Sequence, residues 1–67
     1  THDLAAVTVV HPSAAYADAM ATALLVLGPV HGPAFATELG IAGYFLVRNG
    51  TNIEETTTPQ FDALGAQ

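Results

Sequence analysis

The sequence predicts an α+β fold with the element order β-α-α-β-β, ending in an antiparallel hairpin. Three observations carry that reading. A β-branched apolar run, Ala5 to Val10, ends at His11-Pro12. An alanine- and leucine-rich stretch then runs from Ala14 to Leu27 and stops at Gly28-Pro29. Further on, Asn49-Gly50 separates two strand-like segments. Asn-Gly is the strongest short hairpin signal, because a type I′ turn needs positive φ at both central positions.

The first strand, Ala5 to Val10, lacks the alternation of a half-exposed strand and is expected to be covered on both faces. Pro12 ends it, since proline restricts the residue before it and cannot donate to a ladder. Ser13 is placed to cap the helix that follows by accepting a bond from an otherwise free backbone N–H. That helix, from about Ala14 to Leu27, is apolar nearly all round, the pattern of a buried helix. The apolar stretch from Ala14 to Val30 contains Asp18, Gly28 and Pro29 and falls short of the roughly 20 residues of a membrane crossing. A second, shorter helix is expected from about Gly32 to Leu39, with Pro33 in its first turn and Gly40 as its stop. Ile41 to Arg48 reads as a strand, and Asn52 to Thr58 as a polar, Thr-rich edge strand. The tail from Pro59 reads as a short turn around Phe61. Met20, Leu24, Leu27, Phe35, Phe45 and Leu46 are the expected core. No internal repeat, low-complexity tract or interdomain linker is visible.

Composition narrows the functional classes. The chain has 67 residues and no cysteine, so no disulfide can brace it. Its hydrophobic fraction is 51% and its charged fraction 10%, against about 25% charged in an average domain. A chain of this size buries only about 60% of its unfolded surface. The apolar surplus therefore predicts self-association or docking onto a further part of its own domain. The opening Thr1-His2-Asp3, without an initiator Met or signal core, leads us to expect the C-terminal piece of a larger protein. Net charge is −5, and Arg48 is the one basic residue besides three histidines. That balance provides no basic patch for nucleic acid or an anionic membrane surface.

Asp18 is the only formally charged side chain between Asp3 and Glu38. A lone carboxylate in an apolar helix costs several kcal/mol if buried without a partner, and no basic residue is near it in sequence. Thr22, four residues on, falls beside it on the same helical face. Two hard oxygen donors without a basic partner suggest a bound cation. The ordinary alternative is an Asp bonded to a neighbouring backbone, with Thr22 bonding back into its own helix.

The stretch from Val7 to Leu24, Val-Thr-Val-Val-His-Pro-Ser-Ala-Ala-Tyr-Ala-Asp-Ala-Met-Ala-Thr-Ala-Leu, resembles the C-terminal part of the ApbE family. The family's pattern there is a V-T-V strand, a Ser/Pro-containing turn and a helix with A-D-A-L-[SA]-T-A. Met20 stands in the usual Leu position, a swap that keeps apolar volume. The resemblance continues through Leu25 to Pro29, through Gly40 to Val47, and into Thr58-Pro59-Gln60-Phe61. It implies an incomplete domain of an ApbE-like α/β sandwich. It also implies an FAD-dependent flavin transferase, which releases AMP from FAD and joins FMN by a phosphoester to a Thr or Ser of a target flavoprotein subunit. Further implied are Mg²⁺ held by Asp18 and Thr22 with a backbone carbonyl from an earlier segment, and a catalytic His in an H-[IV]-x-D-P-x-[TS]-G element upstream of Thr1. On that reading the isolated chain lacks the catalytic residue and is inactive. The family resemblance favours a periplasmic membrane-anchored lipoprotein as parent, with a cytoplasmic form as the alternative.

Other candidates have plainer readings. Ser13 serves as a cap before it serves a phosphate. His2, His11 and His31 read as solvated, Arg48 as a hairpin-end charge, and Asn49-Gly50-Thr51 as a turn before a glycosylation acceptor. Thr1 raises the alternative of an N-terminal nucleophile, and a further alternative is a non-catalytic flavin-binding or structural fragment of the same fold.

Overall fold

The computed structural model describes residues 2–65. Its elements are β1 (His2–Val10), α1 (Ala14–Glu38), β2 (Ala42–Asn49), β3 (Asn52–Thr57) and α2 (Pro59–Gly65). The strands form one antiparallel sheet in the order β1-β2-β3, and α1 lies across it.

β1 holds a register device. Leu4 pairs with Val47 and Ala6 with Leu46, so Ala5 is an extra residue. The two-residue period of a strand would otherwise turn Leu4 away from Val7 and Val9. The bulge brings all three to the core, where Leu4 and Val7 pack against buried Val9 and Phe45. The opposite face of β1 is open: Ala6, Thr8 and Val10 are exposed. The strand is thus covered on one face, not both, because a single helix supplies the only layer over it among the described residues.

Ser13 caps α1 as expected, its hydroxyl accepting from the Tyr16 N–H at 3.2 Å. Gly28 breaks the helix with φ 87° and ψ −178°, a combination essentially reserved to glycine. Two helical halves therefore meet at the expected point, although the second starts at Pro29 rather than at Gly32. Proline suits that first position, since its missing N–H would have no helical partner there. Bending carries the Leu24 carbonyl over Gly32, where a Cβ would lie 2.8 Å from that oxygen. Leu24, Gly32 and Ala36 are buried against the sheet.

The rest of α1 is not buried. Leu25, Leu27, Val30 and Phe35 are exposed, and Val26 is 82% exposed. The expected core is corrected accordingly: Leu24 and Phe45 are fully buried and Met20 and Leu46 partly, whereas Leu27 and Phe35 face outward. The helix has the length and apolarity to cross a membrane, but it is bent at Gly28 and laid along a sheet.

The hairpin turn differs by one residue from the expectation. Asn49 pairs with Asn52, so Gly50-Thr51 is the two-residue loop. Gly50 has φ 64° and no non-glycine residue has positive φ among the described residues. A glycine at the first central position alone is the type II′ pattern, not I′. The tail forms the helix α2 rather than a turn, with Phe61 against Tyr44 at 5.6 Å between ring centres.

Candidate metal site

Asp18 and Thr22 lie in the first half of α1, the part fixed by the Ser13 cap and by Ala17, Met20, Ala21 and Leu24 against the sheet. One turn of helix separates them, and both are exposed. The Thr22 hydroxyl donates to the Asp18 carbonyl at 3.0 Å. This is the back-bond of the ordinary alternative, yet it does not compete with metal binding. A hydroxyl that gives its proton to the helix still has two lone pairs, and these are left for an outside cation.

The Asp18 carboxylate makes no hydrogen bond or ion pair with the described residues. Arg48, the one strong cation of the chain, lies 3.7 Å from Asp3. A carboxylate and a hydroxyl oxygen at helical spacing suit a hard cation such as Mg²⁺, which takes a few protein oxygens and completes its shell with water and phosphate. Two donors are a partial set. No group of three or more His, Cys, Asp or Glu is gathered among the described residues.

The remaining candidates do not join this pair. His11 accepts the Ser13 N–H on Nδ1 at 3.0 Å and stacks on Tyr16 at 4.2 Å, which ties it to the strand-to-helix turn. His31 lines an open depression of about 300 Å³ with Leu27, Ala34, Phe35 and Glu38, which spans the bend of α1. Thr1 and the His2 side chain lie outside the described residues.

Thr58 is the residue that the sequence reading missed. Its buried hydroxyl donates to the Ile41 carbonyl at 2.7 Å and accepts from the N–H groups of Gly43 at 3.0 Å and Phe61 at 3.3 Å. It thereby caps α2 and ties it to the start of β2. The signal was present: Thr followed by Pro is a helix start, with Thr as cap and Pro in the first position. Nearby, Tyr44 donates to the Glu55 carboxylate across the β2–β3 pair. That bond raises its pKa above the ordinary 10.0, with desolvation and the carboxylate's charge adding to the rise.

A helix bent over a three-stranded antiparallel sheet, with an Asp/Thr pair on its first half, defines an α+β module that presents oxygen donors beside an open apolar surface. The profile of the ApbE family matches residues 1–45, and the chain belongs to that family. It is 41% identical over 61 residues to an FAD:protein FMN transferase of Klebsiella pneumoniae (strain 342), a match covering 91% of this chain and 17% of that one. With the FAD:protein FMN transferase of Escherichia coli (strain K12) it shares 38% identity over 60 residues, 90% of this chain and 17% of the relative. The crystal structure of the Pseudomonas stutzeri flavinyl transferase ApbE, in its apo form, superposes with a TM-score of 0.90 at 51% identity. That match covers 94% of this chain and 20% of the other. The chain thus spans a fifth or less of the length of these relatives.

Proposed function

We propose that this chain is the C-terminal, metal-holding segment of an FAD:protein FMN transferase. The observation that carries the reading is the Asp18/Thr22 pair, presented outward from a fixed helix within a segment 51% identical to a flavinyl transferase. In the reaction, a Thr or Ser hydroxyl of the target protein attacks the FMN phosphorus of FAD. The bond between the two phosphates breaks, AMP leaves, and a phosphoester joins FMN to the target. The hydroxyl proton passes to a base outside this chain.

Within that reaction Asp18 and Thr22 hold and orient. Asp18 supplies the negative charge that attracts a divalent cation, and Thr22 adds a neutral oxygen whose direction is set by its bond to the Asp18 carbonyl. Together they would hold a Mg²⁺, whose charge would offset that of the pyrophosphate. The remaining ligand, the flavin and adenine contacts and the catalytic His belong to the rest of an ApbE-type domain, so the isolated chain is inactive.

The test is a chimera in which these 67 residues replace the matching segment of the Pseudomonas stutzeri transferase. It should attach FMN to a target domain in the presence of FAD and Mg²⁺, read by mass spectrometry. Asp18→Ala should abolish the transfer while leaving the far-UV spectrum and melting temperature in place. Normal transfer by Asp18→Ala would exclude the metal role and leave a structural segment.

A further inference from the structure

The β2–β3 hairpin closes on two asparagines. Asn49 and Asn52 face each other across the last rung of the ladder, and they are the two asparagines of the chain. Their successors differ. Asn52 precedes Ile53, whose branched Cβ crowds the peptide between them. Asn49 precedes Gly50, which has no side chain and stands in open space, since a Cβ built on it would meet nothing within 4 Å. The closing bonds of a two-residue loop run between the residues that flank it. The Gly50 N–H is left out of them and makes no other hydrogen bond among the described residues.

A free, unshielded peptide nitrogen next to a side-chain carboxamide can close a ring. Hydroxide in water removes the Gly50 amide proton, and the nitrogen attacks Asn49 Cγ. The N–Cγ bond forms, the Cγ–Nδ2 bond breaks, and ammonia leaves a five-membered succinimide. Water then opens the ring at either carbonyl. Opening at Cγ yields aspartate; opening at the main-chain carbon yields isoaspartate, whose chain runs on through the side-chain carbons. One water is consumed, one ammonia is released, and nothing is oxidised. The strand restrains this reaction, because an extended backbone turns the Gly50 nitrogen away from Cγ. Asn49 must rotate about its Cα–C bond and give up its pairing with Asn52. That rung is the terminal one, and Gly50, Thr51 and Asn52 are exposed. The end of a ladder opens at almost no cost.

We propose that Asn49-Gly50 is a site of spontaneous modification, where Asn49 converts to aspartate and isoaspartate without an enzyme. The product adds a carboxylate next in the chain to Arg48, whose guanidinium lies 3.7 Å from Asp3. Isoaspartate also lengthens the main chain within the rung that closes the loop, and so upsets the register of the turn. The inference is independent of the flavin-transfer reading.

Ageing the chimera at mildly alkaline pH tests it, with the folded fraction taken by gel filtration and a synthetic peptide of residues 46–53 as the unfolded reference. Peptide mass spectrometry reads the exchange of NH₂ for OH, and an isoaspartyl methyltransferase labels isoaspartate. Asn49 of the folded chimera should give both products at a rate within about tenfold of that in the peptide. Asn52 should stay intact over the same time. Asn49→Gln should remove the label, because its longer side chain closes a larger ring far more slowly. Slower conversion of Asn49 in the folded chimera than that tenfold margin overturns the proposal, since the ladder then holds the residue shut. Aspartate as the sole product overturns it too, being direct hydrolysis without the ring. So does a peptide in which Asn49 persists as long as Asn52, a result that needs no folded protein.

Discussion

Replacing Thr58 by Val keeps the shape of the side chain and removes one oxygen. That oxygen takes part in three hydrogen bonds, to Ile41, Gly43 and Phe61, and the residue has no exposed surface. A typical internal hydrogen bond contributes about 1 kcal/mol net, and a buried group left without a partner costs about 1–3 kcal/mol. The loss for Thr58→Val is therefore about 3 kcal/mol. Thr58→Ser is the control, because it keeps the hydroxyl and forfeits one methyl, about 0.8 kcal/mol. A domain of this size has a total stability of roughly 3–10 kcal/mol, so the Val variant gives up a large share of it. In urea unfolding followed by circular dichroism, with a slope of about 1 kcal/mol/M, Val should unfold roughly 2 M earlier than Ser. A Val variant as stable as the Ser variant would refute the reasoning, because shape rather than the oxygen would then hold the joint.

Two further outcomes follow from local geometry. Gly32→Ala should cost about 1–3 kcal/mol in thermal unfolding, because its Cβ would press against the Leu24 carbonyl at 2.8 Å; an unchanged melting temperature would show that the bend at Gly28 relaxes freely. Tyr44 should ionise above 10.0, since its neutral form donates to Glu55. A group with a folded pKa raised above its unfolded value stabilises below the unfolded pKa and loses that contribution as pH rises through the folded one. Stability should therefore fall above about pH 10, and Glu55→Gln should bring the Tyr44 absorbance titration down.

The bulk of the fold was legible from local signals. Pro12 and Ser13, Gly28 and Pro29, and Gly40 mark boundaries through backbone rules that act within a few residues, and each falls where the chain turns. The hairpin was found and its loop misplaced by one residue, because Asn49-Gly50 suits one turn type and Gly50-Thr51 another. Ladder pairing chose between them, which a dipeptide cannot show. The bulge at Ala5 was invisible for the same reason: it exists to reconcile Leu4 with Val7 and Val9, which only the tertiary core requires. Burial was misjudged on α1. Leu27 and Phe35 have core chemistry, but what would cover them is not among the described residues. Asp18 and Thr22 were readable as a pair from spacing alone, and the structure adds the direction of the Thr22 proton. Thr58 carried a helix-start signal in Thr-Pro, yet its tie to Ile41 and Gly43 joins segments fifteen or more residues apart.

Whether Asp18 and Thr22 hold a cation is measured most directly without any flavin transfer. Mn²⁺, a stand-in for Mg²⁺ with similar oxygen preferences, reports its own binding by paramagnetic resonance, and ADP supplies the pyrophosphate. The chimera with these residues should bind one Mn²⁺ in the presence of ADP. Asp18→Asn should weaken that binding by about tenfold or more, and Thr22→Val should weaken it less, in keeping with a charged and a neutral ligand. Mn²⁺ binding in Asp18→Asn equal to that of the parent chimera, with the protein still folded, would contradict the metal assignment.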